Sequence, residues 1–213
     1  MAVGCSSIRG RSQMLFKLLF ILCLSPIHSL DYDKSSSLIE EKCAYGDYEN
    51  VNVKFGGKYF LSQSNCGADV PLKDVNEKQP PSVTFTDAVK GKKYLVAMVD
   101  PDAPYADNPG CQSWLHWIVV NIDGEDLAKG VNTYPPVDTI TDYNPPSPPK
   151  PKPGKTNIHR YFVYVFEQES ELQPNELGKL KEDFQERCRF DIDDFRDKLN
   201  LKTVAMNMLK THS

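Results

Sequence analysis

Three near-continuous apolar runs limit what this chain can become. They are Tyr94-Leu95-Val96-Ala97-Met98-Val99, residues 115–122, and Tyr161-Phe162-Val163-Tyr164-Val165-Phe166. Each is rich in β-branched and aromatic side chains and too short for a core helix. A strand with one face in water alternates apolar and polar residues. A strand covered on both faces does not, so these runs predict central strands of a sheet with packing on each side.

The rest of the chain agrees. Val51-Asn52-Val53-Lys54-Phe55 alternates, Gly56-Gly57 turns, and Lys58-Tyr59-Phe60-Leu61 continues, which is a hairpin pattern. Residues 83–85 read as a strand after Pro80-Pro81, and Asp123-Gly124 ends the second apolar run with a turn signal. Residues 133–153 hold Pro135, Pro136, Pro145, Pro146, Pro148, Pro149, Pro151 and Pro153. No helix or central strand survives that density, so 133–155 is expected to be a long, partly polyproline-II surface loop, either a connector or a stiff wall beside a site. Three-to-four spacing of Leu177, Leu180 and Phe184 predicts a helix over 174–187, and Asp191 can cap a second over 192–199. Strands first and helices last predict a mainly β core with peripheral C-terminal helices.

The N-terminus differs from the rest. Arg9, Arg11 and Lys17 form a basic region around the apolar stretch 15–24, which is too short to span a membrane. Ser25-Pro26-Ile27-His28-Ser29 follows as a cleavage site. Residues 1–29 therefore read as a secretory signal peptide, residues 30–42 as a polar leader, and residues 43–213 as one domain. Taking Arg9, Arg11 and Lys17 from a chain of net charge −4 leaves −7. That disfavours nucleic acid and anionic surfaces as non-specific partners. The product is expected to be extracellular, monomeric and without a transmembrane anchor. Cys43, Cys66, Cys111 and Cys188 remain, an even number suited to an oxidising compartment. Four cysteines allow three pairings. Cys43 and Cys66 flank the first hairpin and make an easy bridge, which would leave Cys111–Cys188. With no C-x-x-C pair, neither a zinc site nor a redox motif is expected.

The chemistry gathers at strand ends. Asp100 and Asp102 flank Pro101 at the end of one apolar run, and residues two apart on a strand point the same way. His116 lies in Trp114-Leu115-His116-Trp117 at the start of the second, and His159 precedes Arg160 at the start of the third. A single such histidine is usually structural; two with an aspartate suggest a site.

Taken together, Asp100-Pro101-Asp102-Ala103-Pro104, Trp114-Leu115-His116-Trp117-Ile118-Val119-Val120-Asn121, Gly124, Gly130 and Ile158-His159-Arg160-Tyr161 closely resemble the phosphatidylethanolamine-binding protein (PEBP) family, which includes the Raf kinase inhibitor proteins and the florigen-type plant regulators. The resemblance covers about residues 51–204. It implies a large, antiparallel-rich central β-sheet packed with a smaller sheet, and a small anion-binding pocket. Carried over by motif, the ligand-binding residues are Asp100, Pro104, Trp114, His116, Pro149, His159 and Tyr161. Asp102, Tyr143, Pro148 and Arg160 brace the pocket. Three departures stand out. Residues 151–155 lengthen the loop before His159, and Asn157 replaces a usual glycine. Leu115 replaces the first histidine of a pair found in some relatives. Leu209 falls about where relatives place a ligand-facing tyrosine, which would make the pocket mouth more apolar.

The expected function is a secreted, non-enzymatic protein that binds phospholipid head groups or other small phosphoryl anions, without a cofactor. The alternative is a regulator of a protein partner, such as a serine protease or a receptor. A hydrolase is disfavoured, since neither G-x-S-x-G nor H-E-x-x-H occurs.

Overall fold

The computed structural model describes residues 49–132 and 137–213. The expected signal peptide, the polar leader, Cys43 and Pro135-Pro136 lie outside the described residues.

The elements in chain order are β1 (Glu49–Asn50), β2 (Asn52–Phe55), β3 (Tyr59–Leu61), β4 (Ala68–Asp69), α1 (Leu72–Val75), β5 (Ser82–Thr84), β6 (Lys93–Asp100), β7 (Trp114–Asp123), α2 (Gly124–Lys129), β8 (Asp138–Thr141), β9 (His159–Gln168), α3 (Pro174–Asp183), α4 (Ile192–Lys198) and β10 (Lys202–Thr211). The large sheet runs β1-β10-β9-β6-β7-β8, with β4 also pairing β10. Its central pairs are antiparallel, while β1 and β4 join β10 in parallel. A small antiparallel sheet, β3-β2-β5, packs with it.

The apolar runs are continuous because β6, β7 and β9 are covered on both faces. In β6, Tyr94, Val96 and Met98 join Val53, Phe55, Leu61 and Val83 of the small sheet in one core. Leu95, Ala97 and Val99 enter a second core with Leu180 of α3 and Phe195 of α4. β9 divides the same way, with Tyr161, Val163 and Val165 against Phe162, Tyr164 and Phe166. The period of two thus survives as a division between two apolar layers. The Phe184, Phe190 and Phe195 rings pack together, with centroids 5.2–5.4 Å apart, and anchor the helices to the second core.

Several expectations need correction. The stretch 133–153 contains β8, an edge strand paired with β7, between Pro135-Pro136 and the prolines from Pro145 onward. Asp123-Gly124 begins a helix rather than a simple turn, with Asp123 at its N-cap. Gly124 is required there, since a Cβ would collide with the Val89 carbonyl. The chain closes not on helices but on β10, a ten-residue strand beside β9. Leu209 lies within that strand, fully buried and paired with Tyr161, so it cannot form a pocket mouth.

Candidate ligand-binding site

Antiparallel pairing builds the site. β6 lies between β9 and β7, so its C-terminal end meets the N-terminal ends of both. Asp100 pairs in register with Trp114, and Val99 with Phe162. Three motifs distant in sequence therefore meet at one end of the sheet. They surround a cavity of about 170 Å³ lined by Asp100, Ala103, Pro104, Trp114, His116, Asn144, Ser147, Pro149, His159 and Tyr161.

Asp100 is the hub. Its Oδ1 accepts from the Asp102 backbone N–H at 2.8 Å, and its Oδ2 lies 2.7 Å from His159 Nδ1 and 3.9 Å from His116 Nε2. Burial pushes the Asp100 carboxyl up, but the adjacent His116 and the bonded His159 more than reverse this and hold it below the ordinary carboxylate value. Tyr161 is pushed well above the usual phenol range, first by burial and then by the Asp100 charge. It keeps its proton beside the Asp100 carboxylate.

The partners fix the protons on both imidazoles. His116 Nδ1 lies 2.6 Å from the Asn144 carbonyl, which can only accept, so Nδ1 carries a proton and Nε2 faces Asp100 across a gap too long for a direct bond. Asn157 determines the state of His159. Its Oδ1 accepts from the Ala106 backbone N–H at 2.9 Å, and its Nδ2 donates to the Pro149 and Pro104 carbonyls at 3.0 and 3.3 Å. That network settles which amide atom is oxygen. The same Oδ1 lies 3.2 Å from His159 Nε2, so His159 faces acceptors at both nitrogens, the pattern of an imidazolium beside an ionised Asp100.

The other expected residues fall in distinct places. Asp102 turns away from the cavity and grips Arg160, whose Nε and Nη2 each donate at 2.8 Å while its backbone N–H donates at 2.9 Å. The two carboxylates therefore do not share a direction, because the chain leaves the strand at Pro101. Pro148 is buried but outside the lining, and Tyr143 packs its ring edge-on to Trp117 at 5.9 Å. Ala103, Asn144 and Ser147 line the cavity without having been singled out in the sequence. Asn144 acts through its backbone carbonyl and N–H, which leave no mark in a sequence. Among the described residues, no group of His, Cys, Asp and Glu could hold a metal ion.

One disulfide supports the wall. Cys111 and Cys188 are bonded, tying the loop after Pro104 to the segment between α3 and α4. Cys66 is also disulfide-bonded; its expected partner, Cys43, lies outside the described residues.

The chain is thus a mainly β protein with a small pocket of an aspartate, two histidines and a tyrosine at one end of its large sheet. The phosphatidylethanolamine-binding protein family model matches residues 52–211, and the chain belongs to that family. A putative odorant-binding protein, A5, of Drosophila melanogaster is 34% identical over 119 residues, 55% of this chain and 51% of that protein. The chain thus spans about half the length of that relative. Among solved structures, a phosphatidylethanolamine-binding protein from Plasmodium vivax shares the fold with a TM-score of 0.60 at 19% identity, over 76% of this chain and 84% of that one. A carboxypeptidase Y inhibitor, solved with its cognate proteinase, aligns with a TM-score of 0.59 at 15% identity, over 86% of this chain and 94% of that one.

Proposed function

We propose that the cavity binds a small phosphoryl-bearing head group, of the kind carried by phosphatidylethanolamine, and that the protein is secreted and performs no chemistry on its ligand. The arrangement around Asp100 carries this reading. A phosphoryl oxygen in the cavity meets His116 Nε2, a donor when the ring is protonated, beside the positive charge of His159. An ammonium group of the same ligand finds the Asp100 carboxylate. The volume of about 170 Å³ suits a head group rather than an acyl chain. Both His159 nitrogens are occupied by protein groups, which leaves His159 no free position for general-base work.

Few polar groups converge, so affinity is expected in the micromolar to millimolar range, roughly −4 to −8 kcal/mol. Titration calorimetry with O-phosphoethanolamine and inorganic phosphate tests this. His116→Ala should weaken binding by about 1–3 kcal/mol, the size of a lost charge-assisted hydrogen bond, and leave the fold intact. Equal affinity in the folded variant and wild type would remove His116 from the site.

A second reading, contact with a protein partner such as a protease, is favoured by one observation. Residues 150–156 form an exposed rim held against the loop after Pro104, with Lys152 Nζ 4.2 Å from the Tyr105 ring centre and Lys155 paired with Asp107 at 3.6 Å. Inhibition of a protease panel that survives His116→Ala but not deletion of residues 151–155 would select this reading.

A further inference from the structure

Arg187 lies outside the cavity, yet all its hydrogen bonds converge on the structure that aims His116. Its Nη1 donates to the Leu115 carbonyl at 3.1 Å and the His116 carbonyl at 3.0 Å, and its Nη2 donates to the Asp142 carbonyl at 2.7 Å. One guanidinium thus ties the start of β7 to the segment leaving β8. That segment continues two residues to Asn144, whose backbone N–H donates to the His116 carbonyl at 2.9 Å and whose carbonyl takes the His116 Nδ1 proton at 2.6 Å. The planar fork of arginine suits this task, because it reaches two strands at once and cannot shed its charge.

The segment carrying Arg187 is fixed independently. The Leu115 N–H donates to the Arg187 carbonyl at 2.8 Å, the Arg189 N–H to the Cys111 carbonyl at 2.8 Å, and the Phe190 N–H to the Ser113 carbonyl at 3.2 Å. The Cys111–Cys188 disulfide closes the same contact, and the Phe190 ring is sunk in the second core. The arm therefore presents Arg187 from a rigid support.

We propose that Arg187 is a positioning residue for the pocket: by placing the Asn144 carbonyl it selects the Nδ1–H form of His116 and turns Nε2 toward the cavity. This rests on the head-group reading above only for its binding consequence. The tautomer itself is a property of the free protein.

The test uses the full chain as wild type, Arg187→Met and Arg187→Lys. Two-bond ¹H–¹⁵N correlation spectra report which His116 nitrogen holds the proton, and calorimetry with O-phosphoethanolamine reports binding. Wild type should show Nδ1–H. Arg187→Met should erode the Nδ1–H preference of His116 and, by letting the ring swing off the Asn144 carbonyl so that Nε2 no longer points into the cavity, weaken binding roughly tenfold, the scale of one well-placed hydrogen bond. Arg187→Lys, which keeps the charge but reaches fewer carbonyls, should restore part of both signals. A folded Arg187→Met protein with an unchanged Nδ1–H signature overturns the proposal. If that variant does not fold, an unchanged signature in Arg187→Lys, together with full affinity, overturns it too. Wild type that shows Nδ1–H but no phosphoethanolamine binding would defeat the head-group reading and leave the positioning role to be decided by the tautomer shift alone.

Discussion

Replacing Asp100 with Asn should cost stability in a pH-dependent way that isolates the Asp100–His159 pair. Both side chains are nearly fully buried and 2.7 Å apart. Orphaning a buried hydrogen-bonding group costs about 1–3 kcal/mol, and breaking a buried ion pair about 3–5 kcal/mol. The amide oxygen of the variant can still accept from His159 Nδ1 and so relieve part of the penalty, and about 3 kcal/mol is expected near neutral pH. For a domain of this size that lowers Tm by roughly 6–12 °C. The folded-state pKa of Asp100 lies below its ordinary value of 3.8, so its contribution is fully present above that value. It is lost as pH falls through the lower, folded value. Wild type at that acidity carries a neutral Asp100 and resembles the amide variant. Thermal or urea unfolding of both proteins from about pH 7 to about pH 2 should therefore show a wide stability gap at neutrality that closes only below about pH 4. Taking the difference cancels the titration of the other carboxylates. A gap that stayed constant over the whole range, or the absence of any gap at neutral pH, would refute the buried ion pair.

Three further outcomes follow from the structure and the sequence. Asn157→Gly removes the contacts to Ala106, Pro104, Pro149 and His159, so it should destabilise the protein by about 1–3 kcal/mol and speed proteolytic cleavage within residues 150–156; an unchanged cleavage pattern would count against Asn157 holding that rim in place. Peptide mapping of the native protein should recover Cys111–Cys188 and Cys43–Cys66, and a Cys43–Cys188 peptide or free thiols would contradict this pairing. N-terminal sequencing of secreted material should begin near Leu30, whereas Met1 or Met14 would rule out the expected cleavage.

What the sequence made legible follows from how far each signal reaches. The runs in β6, β7 and β9 were readable because a strand packed on both faces must be apolar throughout, whatever its neighbours are. The Asp191 cap was equally local: its side chain accepts from the Asp193 and Asp194 backbone N–H groups, within one turn. β10 was not legible. It begins and ends with polar residues and carries Asn207 in its interior, fully buried with its amide on the Val51 carbonyl. Only the folded chain brings Val51 there, so no window around Asn207 contains the reason it is tolerated. β8 was hidden by the prolines that flank it. Arg187 left no signal, since its partners are carbonyl groups that every residue possesses.

The two aspartates show why motif spacing pointed to a candidate site but left its internal arrangement unread. Asp100 and Asp102 are two residues apart, and strand geometry would aim them together. The chain leaves β6 between them, and each carboxylate then meets a different base. Asp102 meets arginine, whose bidentate bonds to both oxygens leave little capacity for a ligand. Asp100 meets histidines, one bonded and one held back by 3.9 Å. The Asp102–Arg160 ion pair locks the turn from behind, while Asp100 and the two imidazoles line the cavity.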